Sequence, residues 1–489
     1  MTAGSGKYQG RLPAGGSVRH GDLKWLNTLR ALGVLLVLIY HFFPSLLAGG
    51  FIGVDIFFVV SGYLITSLLL REYDAAGRID LPAFWRRRWR RLFPAICAML
   101  LATLPLSLLI SPDFRVDAAR QSAAALSWTT NFYELLTGQS YEAQLLPHLF
   151  IHTWTLSVEM QYYLIWAAVV AVLLVTGRAR FGIIITAAVF FAVSAALMRL
   201  FAEGADDPSA AYMSTASHFF PLMAGSAFAS VGGFSPAPFV GRLAGLKYFK
   251  PVSLACVAAG LAFIIWASIG FSFGDGRVYA WGIAAVSLIS GAIILVACAW
   301  QGLAEGKTAV SATKIPPRDS DAAAGSASGA RAEWKLTNYI GLRSYSIYLF
   351  HWPLMILCQH IAPALGVPQP SAQLVGSLAA IPLTFAAAEL SYRHVEQRFR
   401  LKSPTPALTT GASGLRGEEA ANAKPAVARR TYRRRFVTAI AICAIAVLCV
   451  ISARAIATAP LMSGIESDLK YGAMTLDVMD MNEYLEGRG

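Results

Sequence analysis

Apolar runs recur along this chain from near residue 29 to near residue 455. Each approaches the roughly 20 residues that a helix needs to cross about 30 Å of hydrocarbon. Within a bilayer no water satisfies the backbone N–H and C=O groups, so such spans must be helical. Eleven are predicted, at 29–48, 51–70, 92–111, 152–175, 181–200, 219–236, 252–271, 278–300, 338–360, 371–391 and 436–454. Of the 489 residues, 56% are hydrophobic and only 14% charged, against about 25% charged in soluble proteins. The expected fold class is all-α: a polytopic membrane protein with a ten-helix body and an eleventh transmembrane helix. A soluble enzyme, a disordered chain and a fibrous one are excluded.

The formal charge of +13 has a membrane explanation, because basic residues are retained on the cytoplasmic side. With the N-terminus inside, 33 of the 41 Lys and Arg residues fall in cytoplasmic segments and 6 on the opposite side. The expected topology is N-terminus cytoplasmic and C-terminus outside, and no nucleic-acid partner is needed. The six cysteines lie in apolar stretches, so neither a disulfide framework nor a metal site is indicated. Residues 1–24 do not read as a cleaved signal peptide.

The chain divides into a body over 1–400, a flexible basic linker over 401–435, the eleventh helix at 436–454 and a short acidic tail at 455–489. So short a displayed tail suggests that a larger extracytoplasmic domain normally follows; the alternative is a naturally short end.

Ionisable groups inside a span cost several kcal/mol unless paired or wetted, so they are the first functional candidates. Arg30 and His41 share the first span, eleven residues apart. They lie within about 20° of one face and about 16 Å apart along the axis. A histidine exchanges a proton near neutral pH and suits a general base; the competing reading is a packing histidine. Asp55 opens the second span, where it either pairs with His41 or an arginine, or caps the helix. Glu159, beside Ser157, Gln161 and Tyr162, makes its stretch too polar for lipid. His218 reads weakly, as an outer-loop residue. Tyr348 and His351 share a face just before the helix-kinking Pro353. Phe84–Pro94 reads as an inner loop with five arginines between 86 and 91. That cluster suits either phosphate groups or anionic lipid headgroups.

These groups sort into two layers. His41, Asp55, Glu159 and His351 fall in the outer half; Arg30, the Arg86–Arg91 cluster, Arg343 and Arg398 fall near the inner face. Phosphate-attracting groups inside and acid–base groups about 15–20 Å further out suit a long, narrow substrate such as a coenzyme A thioester.

The same residues carry a pattern. Arg30 and His41 at their offset, GVDIFFVVSGYLIT at 53–66, RRWRRLFP at 87–94, WTLSVEMQYY at 154–163 and SYSIYLFHWP at 344–353 together resemble the membrane-bound acyltransferase-3 family of bacterial surface-polysaccharide O-acetyltransferases. The resemblance covers roughly 22–400. It implies a multi-pass enzyme of the bacterial cytoplasmic membrane. Such an enzyme takes an acyl group, most simply from acetyl-CoA, and places it on a carbohydrate hydroxyl beyond the membrane. It also implies that His41 and Arg30 match the family's first-helix histidine and arginine, that Arg87, Arg88 and Arg91 match its basic motif, and that Glu159 matches its fourth-helix glutamate. Some members add an SGNH-like domain after an eleventh helix; this sequence stops before any such nucleophile block.

The expected chemistry is general base catalysis by His41, oriented by Asp55 or Glu159, with His351, Tyr348 or Ser61 polarising the thioester carbonyl. An acyl-histidine route stays open. Candidate donor-binding residues are Arg30, Arg87, Arg88, Arg91, Ser61 and Arg343; no metal is expected. The acceptor is an extracytoplasmic or lipid-linked glycan: O-antigen, capsule, exopolysaccharide or peptidoglycan. Trp128, Tyr133 and Tyr141 of the outer loop either stack sugar rings or form an interface belt. The alternative function is a transporter of an acyl group, sugar or ion, since intramembrane charge also marks transport paths.

Overall fold

The computed structural model describes residues 24–399, apart from 112, 113, 115, 142–147, 178, 234–243, 312–326 and 370. The expected linker, eleventh helix and tail lie outside the described residues. Helix α1 (Lys24–Phe42) leads through a loop and a 3₁₀ turn (Gly50–Ile52) into α2 (Gly53–Ala76). Gly77 ends α2 at φ 66°, a left-handed cap that other residues resist. Next comes α3 (Leu81–Ile110). The short helices α4 (Ala118–Ser127) and α5 (Thr130–Leu136) lie in the connection to α6 (Trp154–Val175). Then follow α7 (Ala179–Ala202), the short α8 (Ser209–Met213), α9 (Phe220–Val231) and α10 (Phe249–Gly270). A π-helical turn (Val278–Gly282) enters α11 (Ile283–Ser311), and α12 (Ala327–Ala364) and α13 (Ser371–Ser391) complete the body.

Among the described residues, eight helical segments are long and apolar enough to cross a membrane. Two of the ten expected spans within this region differ. The sixth is only the 12-residue α9, about 18 Å long. The ninth belongs to the 38-residue α12, whose apolar character is diluted by Ser344, Ser346 and His351. All three of these side chains are buried. A helix enclosed by its neighbours need not be apolar, because lipid is not its solvent.

A further difference concerns the arginine cluster. The expected loop at 84–94 is helical, because α3 begins at Leu81. Asp80 caps it by accepting from the Ala83 N–H at 2.9 Å, and a proline occupies its first turn. Arg86 to Arg91 therefore project from helical positions.

Helix α2 is the axis of the body. In its membrane-crossing segment 83% of the residues of the most apolar window are buried, against 22% for α7. Its largest packing contact is with the short α9. A Cβ on Gly62 would fall 2.0 Å from the Leu222 carbonyl oxygen, and one on Gly225 2.0 Å from that of Val59. Two backbones thus touch where only glycine fits, as in close helix packing within membranes. Gly62→Ala and Gly225→Ala should each destabilise the fold by about 1–3 kcal/mol, the scale of overpacking in a tight core. Gly274→Ala, with nothing within 4 Å of the added carbon, should be neutral. Thermal unfolding in detergent checks the ranking.

Candidate active site

His41 ends α1 and meets α12. Its Nδ1 lies 3.0 Å from Nε2 of His351, and its Nε2 lies 3.1 Å from the Tyr141 hydroxyl. The hydrogen positions follow from the partners. His351 Nδ1 is 2.5 Å from the Tyr348 carbonyl oxygen, which can only accept, so Nδ1 carries the proton. In the neutral ring, His351 Nε2 must then accept, and His41 Nδ1–H donates to it. His41 Nε2 is left as the basic nitrogen, accepting from the Tyr141 O–H. The chain of donors runs Tyr141, His41, His351, Tyr348 carbonyl.

The turn of α12 that carries His351 is held from outside. Pro353 has no N–H, so the Leu349 carbonyl lacks its intrahelical donor. Nε2 of His152 lies 3.0 Å from that oxygen and supplies the missing hydrogen bond. The Tyr348 hydroxyl donates to the His152 carbonyl at 2.8 Å and accepts from Thr155 at 2.9 Å. His152 and His351 are both fully enclosed, at 1% and 0% exposure.

Two cavities approach this turn. One is a narrow slot of about 70 Å³, lined by Arg30, Arg88 and Arg91 toward the basic end and by Ser61, Glu159 and Tyr348 further in. The Nε atoms of Arg88 and Arg91 are buried with no hydrogen-bond partner among the described residues, an arrangement suited to an anion. Glu159 Oε1 accepts from the hydroxyls of Ser61 and Tyr163. The other cavity is a wider hollow of about 600 Å³ that reaches His41, Tyr141 and Trp352. No lining residue is common to the two, and the Tyr348–His351 turn stands between them. A slot with cationic walls and a broad hollow carrying a basic nitrogen can serve two reactants that arrive from opposite ends.

The expected carboxylate partner of His41 is corrected: its bonds run to His351 and Tyr141, not to Asp55 or Glu159. Asp55 bonds instead to His218, with Oδ1 2.7 Å from Nε2 and both side chains at 0% exposure. His218 Nδ1 donates to the Tyr212 carbonyl. The expected outer-loop histidine is therefore a core residue, paired with the carboxylate at the start of α2. Arg87 makes an ion pair with Glu72 at 2.8 Å and does not line the slot. Arg343 is bound by Glu389 and stacked between Tyr339 and Tyr392, with its guanidinium carbon 3.7 and 4.6 Å from the two ring centres. It too stands outside the slot.

Above the hollow, Trp352 Nε1 donates to the His148 carbonyl at 2.9 Å, and His148 Nδ1 lies 2.8 Å from the buried Glu134. Tyr133 stacks beside His148. Burial, then Asp117 and Glu134, push its phenol above the ordinary range, so it stays a neutral hydroxyl. Sequence reasoning gave no role to His152 or Tyr163 and placed His218 in an outer loop. Pro353 was the available signal for the first, since the carbonyl four residues before a proline needs a new donor.

Residues 23–389 match the family described as Acyltransferase domain. The chain is 30% identical over 377 residues to the peptidoglycan O-acetyltransferase OatA of Listeria monocytogenes, covering 77% of this chain and 55% of that protein. It is also 30% identical over 383 residues to the O-acetyltransferase OatA of Staphylococcus aureus, covering 78% and 57%. The chain thus spans little more than half the length of these relatives. No solved structure matches.

The Asp55–His218 pair yields a prediction that needs no assay of activity. Removing either partner alone leaves the other buried without its bond, and should cost about 3–5 kcal/mol. Asp55→Leu combined with His218→Leu should recover part of that loss. Thermal unfolding of the two single variants and the double variant decides it; additive losses would show that the two residues act separately.

Proposed function

The chain belongs to the membrane-bound acyltransferase-3 family, and on that premise we propose that it moves an acetyl group from cytoplasmic acetyl-CoA to a hydroxyl of an extracytoplasmic glycan. The observation that carries this reading is the pair of cavities meeting at the Tyr348–His351 turn, cationic on one side and holding His41 Nε2 on the other. The names of the relatives, O-acetyltransferases and in one case a peptidoglycan O-acetyltransferase, support an O-linked acetyl product on a surface polysaccharide. The reading includes a cytoplasmic N-terminus, a ten-helix body over 1–400, the linker at 401–435, an eleventh helix at 436–454 and an extracytoplasmic tail at 455–489.

The slot is too narrow for a whole nucleotide and fits the extended arm of the donor. Arg30, Arg88 and Arg91 meet the phosphates near its basic end, because guanidinium groups bind phosphate through paired N–H donors. The arm then runs past Ser61 and Glu159 toward Tyr348. The acceptor hydroxyl displaces the Tyr141 O–H from His41 Nε2 and gives that nitrogen its proton. The hydroxyl oxygen attacks the thioester carbonyl carbon, a C–O bond forms, the C–S bond breaks, and the CoA thiolate leaves toward the cytoplasm. His351 holds the His41 tautomer that keeps Nε2 basic. Crossing between the cavities requires the α12 turn to yield, and Pro353 makes it the weakest point of that helix. Asp55 acts through its pair with His218 by fixing the start of α2 behind Phe58 and Trp154. Arg87 and Arg343 hold the basic end together beside the donor site.

The test uses purified protein in liposomes with labelled acetyl-CoA and a mixed extract of surface glycans. Wild type should label glycan, and His41→Ala should lose about 10²–10⁴-fold, the usual contribution of a general base. Unchanged transfer by His41→Ala would remove the catalytic assignment. Folded wild-type protein that consumes no thioester across a broad acceptor set would favour a transporter. Label held on the protein without acceptor would favour the acyl-histidine route. Arg88→Ala and Arg91→Ala should raise the donor KM about ten-fold or more, as expected for a lost charge-assisted contact. They should change kcat much less; a fall in kcat at unchanged KM would contradict phosphate binding there.

A further inference from the structure

The hollow around His41 is larger than one reacting hydroxyl needs. Beyond Trp352, whose ring lies 4.9 Å from that of His41, its wall continues along α12 to Gln359 and across to Gln373 and Ser377 of α13. Trp352 and Gln359 are seven residues apart, two turns on the same face, so the polar patch lies about 10 Å further along the helix. That exceeds the width of a single sugar ring. Gln373 and Ser377 are four residues apart and also share a face.

The hydrogen-bonding capacity of the patch is only partly used internally. Gln359 Nε2 donates to Ser377 Oγ at 3.0 Å. Ser377 is buried, at 1% exposure, and fixes the Gln359 amide, whose carbonyl and second N–H remain as acceptor and donor. Gln373 is exposed and adds a second amide. Paired amides, each able both to give and to accept, match the vicinal hydroxyls of a sugar. Among the described residues no Lys, Arg, Asp or Glu lines the hollow, so the matching ring is uncharged.

We propose that Gln359, held by Ser377, and Gln373 form a second sugar subsite, which holds the neutral ring next to the one whose hydroxyl faces His41. The acceptor is then an oligosaccharide of at least two rings. This rests on the acyl-transfer reading for the reaction, but not for the binding.

The experiment compares the monomer, dimer and tetramer of N-acetylglucosamine and of glucose, first as acceptors and then, without donor, as ligands in a tryptophan-fluorescence titration of the whole protein. Wild type should show a lower acceptor KM and tighter binding for dimer than monomer in at least one series, with little further gain at the tetramer. Gln373→Leu, an exposed position where the fold is not at risk, should raise the dimer KM about five-fold or more. It should leave kcat and the monomer values alone. Gln373→Asn should restore part of the loss. Length-independent binding in both series, or a Gln373→Leu effect on kcat rather than KM, would overturn the subsite. Dimer-selective, Gln373-dependent binding without any acetyl transfer would uphold the subsite and sink the acyl-transfer reading; transfer without length dependence would do the reverse.

Discussion

Pro353 deprives the Leu349 carbonyl of its helical donor, and the repair of that defect organises the centre of the protein. His152 reaches across from the start of α6 to bond the carbonyl. Because its own backbone oxygen accepts from the Tyr348 hydroxyl, α6 and α12 are joined twice within one turn. The same turn presents His351 to His41. A buried, unpaired carbonyl costs as much as a lost hydrogen bond or more. The proline is therefore tolerable only with His152 in place, and the register of α6 against α12 follows from it. The wall between the two cavities is this turn.

The rest of the body supports that junction by close approach. The glycine contact between α2 and α9 brings the central helix, which carries Asp55, Phe58 and Ser61, to backbone distance from its neighbour. Membrane interiors gain little from burying apolar groups away from lipid, so small residues and internal hydrogen bonds carry the packing. The buried Asp55–His218 pair, the Ser61–Glu159–Tyr163 cluster and the Ser346–Glu396 bond fit that pattern. In each, a buried polar side chain bonds to a partner on another element.

Much of this was legible in the residues. The apolar runs predict most of the helices in their order, and the offset between Arg30 and His41 puts them toward the two ends of α1, each beside a cavity. The arginine run reads as a cluster for phosphate or lipid headgroups, and its helical setting depends on Asp80, a cap lying before that stretch. Periodicity could not reveal which helices are enclosed. Polar α12 and short α9 are viable only because neighbours replace lipid around them, and that is a tertiary property. Partner choice was equally hidden. Asp55 and His41 share a depth, but depth does not say which histidine an aspartate faces, and His218 sits just before the predicted sixth span, where it reads as a loop residue.

The use of one imidazole to orient another has a physical rationale in this setting. A buried carboxylate must be compensated by several donors or a fixed cation, and the desolvation cost of an unpaired one amounts to several kcal/mol. His351 is uncharged, accepts the His41 N–H, and passes its own N–H to a backbone carbonyl that cannot ionise. The His41 tautomer is thus set by a chain ending in the main chain, with no buried charge at rest. Glu159, the nearest acid lining the slot, is instead engaged by two hydroxyls, Ser61 and Tyr163, and faces the arginines rather than the base. On the proposed function, a negative group on the cationic side and a neutral relay on the other side of the turn separate attraction of the donor from proton transfer. The two tasks would conflict if one carboxylate had to serve both.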